Sequence, residues 1–327
     1  MIDVPKEGAD WRPTASLDTL RIRAELLAEI RVFFRQRSVL EVETPILARA
    51  TVTDPHIESL QLTTSPTATG DDSWYLHTSP EFAMKRLLAS GSGDIFQVAR
   101  VFRQGEMGRL HNPEFSMLEW YRLDYDHHHL MDEVDELLQY LFETPSSIRM
   151  SYEDVFQSNI GLNPHEATLD TLIQCACDLG IGQELLDSLN ERDQWLDLLM
   201  SGVVGPKLGH ELPVFIYDFP ASQAALAKVG SHGLAERFEL FIDGVEIANG
   251  YNELTNAKEL SRRFRCDNAL RKTLGASCVD IDDKLLAAMQ HGLPTCAGVA
   301  VGLDRLLAWK MDAKSLAEVM SFTAEQM

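Results

Sequence analysis

No CxxC pair occurs among the five cysteines (Cys175, Cys177, Cys266, Cys278 and Cys296), and no histidine stands at finger spacing from them. That excludes a zinc ribbon and argues against a disulfide framework, leaving free thiols in a reducing compartment as the expectation. Basic charge is scarce as well. Lys+Arg 29 against Asp+Glu 50 gives a formal net charge of -21, the opposite of the positive footprint of a nucleic-acid-binding domain. No uncharged apolar run is long enough to span a bilayer, and the opening MIDVPKEGAD lacks the basic and apolar regions of a secretory signal. A soluble cytoplasmic chain with no membrane partner is therefore expected. GxGxxG and GxxxxGK[ST] are both absent, which removes the Rossmann and P-loop routes to nucleotide binding. Internal repeats and low-complexity tracts are missing too.

What is present is a chain of 327 residues, 45% hydrophobic, enough to bury one large core with appendages. Asp18 is placed to cap a helix in which Ile22, Leu26, Ile30 and Phe33 recur at helical spacing. Arg37 and Ser38 end that helix before an extended run from Val39 to Thr44, which Pro45 stops. From Asp94 to Arg103 the residues alternate, with Phe96, Val98, Arg100 and Phe102 on one face and Ile95, Gln97, Ala99, Val101 and Arg103 on the other. A second strand follows from Glu114 to Arg122, with Phe115, Met117, Glu119 and Tyr121 sharing a face. The joining segment, Gln104 to Pro113, is too long and polar for a tight hairpin turn and reads as a functional loop.

Residues 131–210 carry mostly helical patterning with acidic faces and read as a solvated insertion between sheet segments. Strands resume at Val214 to Tyr217, Phe238 to Ile242 and Val245 to Ile247, the last two joined by an Asp243-Gly244 turn. A final strand, Ala297 to Val301, runs through Gly302 into a helix beginning near Asp304. The order implies an α+β fold, an antiparallel sheet flanked by helices. His127-His128-His129 beside Asp124 and Asp126 suggests a metal cluster on paper, but consecutive side chains point in different directions, so no metal site is read there.

Three features carry chemistry. Arg103 ends a strand on a face shared with apolar residues, so its guanidinium needs either a carboxylate in a structural salt bridge or a bound phosphate. Glu239 and Glu246 lie on the two arms of a hairpin, where they are expected to face each other and hold Mg2+ through oxygen ligands. Asn249, Tyr251 and Glu253 continue that strand period with polar groups. Gly302 lets a flat ligand approach the backbone, and Arg305 just inside the following helix can stack on a base or reach a phosphate. All three suit one bound Mg-ATP, whose chemistry needs chiefly positioning and charge neutralisation.

Taken together, these segments resemble the catalytic domain of the class II aminoacyl-tRNA synthetases, in the lysyl branch. VLEVETP at Val39 to Pro45 resembles motif 1, FRQGEMGRLHNPEFSMLEWY at Phe102 to Tyr121 resembles motif 2, and GVAVGLDR at Gly298 to Arg305 resembles motif 3. TSPEF at Thr78 to Phe82 and the RFE…EIANGYNE run resemble lysyl-branch signatures. The resemblance covers residues 19–327 as one catalytic domain, after a leader at 1–18. A lysyl-tRNA synthetase would carry an anticodon-binding OB domain ahead of motif 1, where this sequence has only the leader. The chain is thus most similar to the stand-alone paralogues that join (R)-β-lysine to elongation factor P.

The resemblance implies ATP and Mg2+, an aminoacyl-adenylate of (R)-β-lysine, transfer to a lysine of elongation factor P, no tRNA substrate, and a homodimer that buries the Ile22, Leu26, Ile30 and Phe33 stripe. It implies that Arg103 contacts the α-phosphate and the substrate carboxylate and is catalytic together with Arg305. Gln104, Gly105, Glu106, His111, Asn112, Glu246, Ile247 and Gly302 would join them around ATP, and Glu239 and Glu246 would bind the metal. Ser79, Pro80, Glu81, Glu119, Tyr121, Asn249, Tyr251, Glu253 and Ala300 would form the amino-acid pocket, whose carboxylates suit a substrate with two ammonium groups.

Two departures stand out. Gly105 replaces the motif 2 glutamate expected near the adenine amino group, which implies weaker ATP affinity or base selectivity unless Glu106 takes over. Ala300 stands where lysyl-tRNA synthetases tend to have glycine, and one methyl of that kind shifts selectivity by roughly 1–3 kcal/mol. Two other readings compete. An aspartate-using, asparagine-synthetase-like enzyme is opposed by like-charge repulsion from Glu81, Glu119 and Glu253. A catalytically inactive regulatory subunit is opposed by the retention of Arg103, Glu239, Glu246 and Arg305.

Overall fold

Ser16, not Asp18, opens the first helix, α1 (Leu17–Gln36): its Oγ accepts the Thr19 N–H at 3.1 Å. Asp18 lies inside the first turn, paired with Arg21 at 2.5 Å, where a negative charge favours the helix dipole. The computed structural model that shows this describes residues 11–62, 73–181, 183–186 and 188–327. The first ten residues of the expected leader lie outside that range. Ser38 at φ 58 turns the chain out of α1 into β1 (Leu40–Glu41), a shorter strand than the extended run expected to Thr44.

Helices α2 (Glu81–Ala89), α3 (His127–Phe142), α4 (Tyr152–Ile160), α5 (Leu169–Asp178), α6 (Arg192–Leu199), α7 (Ala257–Thr273), α8 (Asp283–Gly292) and α9 (Leu303–Lys310) follow α1. The strands after β1 are β2 (Leu47–Ala48), β3 (Tyr75–Leu76), β4 (Ile95–Phe102), β5 (Glu114–Leu123), β6 (Ile148–Ser151), β7 (Val214–Pro220), β8 (Leu234–Ile242), β9 (Val245–Asn252) and β10 (Cys296–Gly302). Among the described residues they form a sheet in the order β1-β4-β5-β10-β9-β8-β7-β6, with β2 and β3 as a separate ladder. Pairing is antiparallel except where β1 meets β4 and β6 meets β7. The fold is α+β, as the order of elements implies.

Strand alternation gives this sheet two unlike faces. One is apolar: Phe96, Leu118, Trp120, Phe238, Leu240, Val299 and Val301 pack beneath α1, α3 and α9. Phe34 of α1 stacks on Phe96 with ring centroids 4.5 Å apart, and Trp120 donates to Glu133 of α3 at 2.9 Å. Truncating a ring such as Phe34 costs about 3–5 kcal/mol. The other face presents Glu119, Tyr121, Asn249 and Tyr251, and it is there that the site is built.

Two expectations need correction. Residues 131–210 are not a solvated helical insertion. Leu130, Met131, Val134, Leu137 and Leu138 of α3 belong to the central core, and β6 is an edge strand of the main sheet. Helices α4 to α6 form a second core around Tyr152, Phe156, Trp195 and Leu199, which leans on Ile216, Phe219 and Phe241 of the sheet. Of the acidic residues that suggested solvation, Glu133 is itself buried beneath α3, where it accepts from Trp120. Likewise, the α1 stripe is consumed within the chain: Leu26, Ile30 and Phe33 are 8%, 0% and 0% exposed, and only Ile22, at 40%, remains outward. No helix among the described residues is long and apolar enough to cross a membrane.

Candidate active site

The β4–β5 loop, β9 and the junction of β10 with α9 enclose a cavity of about 260 Å3. Arg103, Glu106, His111, Asn112, Glu246, Asn249, Ala300, Gly302 and Arg305 line it, all of them residues singled out in the sequence. Arg103 leaves the end of β4, where its N–H donates to the Pro113 carbonyl at 2.9 Å and closes the loop base. Its guanidinium lies 5.1 Å over the Phe115 ring and 3.4 Å from Glu106, while its Nε is buried without a hydrogen-bond partner among the described residues. A buried donor left unpaired costs about 1–3 kcal/mol, so this arginine is poised for an anion rather than held in a complete salt bridge.

Arg305 is held differently. It donates to the Leu110 carbonyl at 3.3 Å, to the Glu246 carbonyl at 3.0 Å and to His111 Nε2 at 2.8 Å. A guanidinium only donates, so His111 must accept through Nε2. Burial, then the Arg305 charge, lowers the His111 pKa and keeps the ring neutral. Gly302 has no close neighbour at its would-be Cβ, the nearest atoms being Arg305 Cδ and the Ile247 carbonyl at 3.8 Å. The space above it is open to a flat ligand.

Gly105 sits at φ +81, a conformation that disfavours glutamate. The loop therefore turns at Gly105, and the next residue, Glu106, lines the cavity. Gln104 and Gly105 do not line it; Gln104 instead donates its N–H to the Glu58 carbonyl at 2.8 Å. The Ile247 side chain also turns away, into the core. Asn112 is occupied within the chain: its Nδ2 donates to the Glu114 carbonyl at 2.6 Å and its Oδ1 accepts the Ala324 N–H at 3.0 Å.

Glu239 and Glu246 do not face each other. A register shift between Leu240 and Phe241 sets Glu239 opposite Asn249 and Glu246 opposite Phe241. Glu239 is buried, ion-paired with Arg237 and bonded to Asn249 Nδ2 at 3.2 Å. Burial, then the charge of Glu246, pushes its carboxyl up to about 7. The two carboxylates are thus close enough to repel, an arrangement that a divalent cation would relieve. Among the described residues no group of three or more histidines, cysteines or carboxylates could hold a metal. Mg2+ is commonly held by one or two carboxylates plus phosphate oxygens, and this pair fits that pattern.

Deeper on the same sheet face lies a charged cluster. The register puts Ala300 between Glu119 and Asn249, and Gly298 between Tyr121 and Tyr251. Glu119 Oε1 accepts the Tyr121 hydroxyl at 2.7 Å, while Oε2 is buried with no hydrogen-bond partner among the described residues. Burial, then the nearby Glu81, pushes this carboxyl up to about 8. Glu81 opens α2, and one turn later Lys85 places its Nζ 2.6 Å from Glu81 and 2.6 Å from Glu253. Ser79 and Pro80 line, with Glu81, a separate larger cavity of about 1080 Å3 rather than the 260 Å3 one.

Several residues here escaped the sequence reading. Lys85 was visible as the i+4 partner of Glu81. Gly298 was visible in GVAVG: a Cβ there would collide with the Tyr121 ring and Glu253 Oε1. Asp304 accepts from Arg23 at 2.6 Å and from the Ser116 N–H at 2.7 Å, which locks α1, β5 and α9 together under the site. Nothing local in the sequence pairs Arg23 with Asp304.

The whole chain resembles known proteins. Residues 3–326 match the profile of the tRNA synthetases class II (D, K and N). A Vibrio vulnificus (strain YJ016) protein named Elongation factor P--(R)-beta-lysine ligase is 48% identical over 317 residues, 96% of this chain and 98% of its own. Proteins of the same name are 46% identical in Hamiltonella defensa, over 98% of this chain and 99% of theirs, and 47% identical in Vibrio cholerae, over 96% and 98%. The arginine-lined cavity, the carboxylate cluster deeper on the same sheet face and a match of this extent agree, and the chain belongs to the class II tRNA synthetase family (D, K and N), among its elongation factor P--(R)-beta-lysine ligases.

Proposed function

We propose that this protein activates (R)-β-lysine with ATP and transfers it to a lysine side chain of elongation factor P. One observation carries the reading. The polar sheet face offers the incompletely paired guanidinium of Arg103 in the cavity, its Nε without a hydrogen-bond partner among the described residues, and a carboxylate oxygen in the same state, Glu119 Oε2, beyond Ala300. A diamino acid laid along that face presents its carboxylate toward Arg103 and its ammonium groups toward Glu119, and the names of the curated relatives specify β-lysine.

The substrate carboxylate attacks the α-phosphorus of ATP, an oxygen–phosphorus bond forms, and pyrophosphate leaves. Arg103 bridges the substrate carboxylate and the α-phosphate, and Arg305, held by two carbonyls and His111, meets the charge of the outgoing phosphates. Glu239 and Glu246 would hold Mg2+, which when bound offsets phosphate charge. In the second step the deprotonated amine of the acceptor lysine attacks the adenylate carbonyl, an amide forms, and AMP leaves. Glu106 stands where the expected glutamate of motif 2 is missing, at the cavity wall.

A protein acceptor also suits a chain with a net charge of -21, which repels a polyanionic RNA. We place the protein in the cytoplasm, as a homodimer. Ile22 of α1 and Leu40 of β1, 40% and 55% exposed, supply apolar surface for a two-fold contact. The test is pyrophosphate exchange with β-lysine, α-lysine and aspartate, followed by labelled β-lysine offered to elongation factor P or to total tRNA. Exchange with β-lysine and label on the factor are expected; label on tRNA alone overturns the acceptor. Sedimentation at micromolar concentration tests the dimer, and a monomeric mass counts against it.

A further inference from the structure

Among the described residues Lys85 is the cation paired directly with carboxylates of the amino-acid site, whereas Arg237, opposite Tyr251, is paired with Glu239; neither step of the proposed reaction uses Lys85. Its ammonium is 3% exposed and lies 2.6 Å from both Glu81 and Glu253. Every element packed around it contributes a titratable group: Glu81 from its own helix, Glu119 and Tyr121 from β5, Tyr251 from β9 with Glu253 just beyond it, and Cys296 from β10. Burial raises both tyrosines and the thiol, so these three are neutral. Burial opposes the charge on Lys85, but Glu253 and Glu81 outweigh it and raise its pKa, so it stays an ammonium. Three carboxylates against one ammonium leave two negative charges.

We propose that Lys85 is a built-in counter-cation that sets the pocket's charge to the value two substrate ammonium groups neutralise, and so acts as a positioning residue that selects diamino acids. The inference rests on the activation of β-lysine proposed above. A monoamino acid would leave one buried carboxylate uncompensated, which is costly in an enclosed site. Without Lys85 the pocket would hold three buried carboxylates, which do not all ionise together. Protons would then occupy it, and the substrate would have to displace them. In the intact protein burial raises Glu253 and Glu119 alike, but Glu253 lies against the ammonium and Glu119 does not, so one proton rests on Glu119 until a substrate ammonium replaces it.

The experiment measures KM and kcat in pyrophosphate exchange with (R)-β-lysine and with (R)-3-aminohexanoate, which lacks the second amine, from pH 6 to 8. The proteins are the intact chain, Lys85→Met and the charge-balanced double variant Lys85→Met/Glu81→Gln. For Lys85→Met, the KM for β-lysine is expected to rise about tenfold or more at pH 7 with kcat within a few fold, and the slope of log KM against pH to steepen from about one toward about two. The double variant is expected to return the slope to about one, an outcome that lost packing would not produce. If the intact protein activates β-lysine while Lys85→Met keeps the same KM, slope and preference over the monoamine, the counter-cation is refuted and the proposed function stands. If the intact protein does not activate β-lysine, the proposed function itself fails. Should Lys85→Met not fold, titration calorimetry of β-lysine binding in buffers of different ionisation enthalpy decides. The intact protein is expected to release about one proton at pH 7 and the double variant likewise; no release from the intact protein, or a slope of two in the double variant, overturns the proposal.

Discussion

The two ends of the site are built on opposite plans. The nucleotide end is loop-built: Arg103 hangs from the β4–β5 loop, and Arg305 is tied to the Leu110 and Glu246 carbonyls. That loop is itself clipped to the C-terminal segment, since Arg109 donates to the Lys314 carbonyl at 3.0 Å and the Leu316 N–H to the Arg109 carbonyl at 2.9 Å. The amino-acid end is strand-built, with Glu119, Tyr121, Gly298 and Tyr251 aligned across three central strands and enclosed. Among the described residues the loop end leaves the Arg103 Nε without a hydrogen-bond partner, whereas the strand end pairs Glu81 and Glu253 with Lys85 and leaves Glu119 Oε2 with neither a hydrogen bond nor an ion pair. A polyphosphate that enters and leaves suits adjustable walls, and recognition of two ammonium groups at fixed spacing suits walls that do not move.

The comparison can be broken first at its loop end. Arg103→Ala is expected to fold normally, by circular dichroism, and to lose at least ~10²-fold in pyrophosphate exchange, because the guanidinium acts on charge that develops in the transition state. Arg305→Ala is expected to behave alike. Near-normal exchange in a folded Arg103→Ala protein would return that residue to a structural role with Glu106.

At the strand end, Gly298→Ala adds a methyl that meets the Tyr121 ring and Glu253. Overpacking of this kind costs about 1–3 kcal/mol. The variant is expected to lose β-lysine activation while ATP affinity, measured by equilibrium binding, stays close to that of the intact protein. Equal loss of both would show that the two ends are one unit.

Titration sharpens the contrast further. Glu119 has a folded pKa pushed up to about 8 from 4.5, so the folded, empty protein holds its proton more tightly than the unfolded chain does. Its contribution is present at low pH and is lost as pH rises between those two values. Glu119→Gln is therefore expected to flatten the fall in melting temperature of the empty protein from pH 5 to 8. An unchanged profile would mean that Glu119 is ionised and solvated. The smallest effect is expected from the clip: Arg109→Ala removes one solvent-exposed hydrogen bond to the Lys314 carbonyl, worth no more than about 1 kcal/mol. KM for ATP should rise a few fold while KM for β-lysine is unmoved, and an equal rise in both would end the separation of the two regions.

Much of the site was legible because its residues cluster in short segments with strand or loop periodicity. The alternation across residues 94–103 and 114–122 put Glu119 and Tyr121 on one face, and the polar loop between them marked the nucleotide end. The facing of Glu239 and Glu246 was misread because the two-residue turn pairs Ile242 with Val245, which already sets Glu246 against Phe241 and leaves Glu239 opposite a residue nearer Asn249; the bulge, which nothing in the local sequence announces, moves it on to Asn249 itself. The extent of α1 was readable, yet which surface its stripe covers was not, since the same apolar spacing serves a subunit contact or the chain's own core.

Sequence alone therefore determined the main strands and first helix, the α+β class, the family and the identities of the arginines and carboxylates, because periodicity and motif spacing are local properties of the chain. Tertiary structure decided which charges are already paired. Lys85 reaches Glu253 across 168 residues of sequence and Arg23 reaches Asp304 across 281, and only the folded sheet shows that Arg103 and Glu119 each keep an atom without a hydrogen-bond partner among the described residues. Burial and pairing depend on what packs from distant segments, and those two quantities set the charge that a substrate must meet.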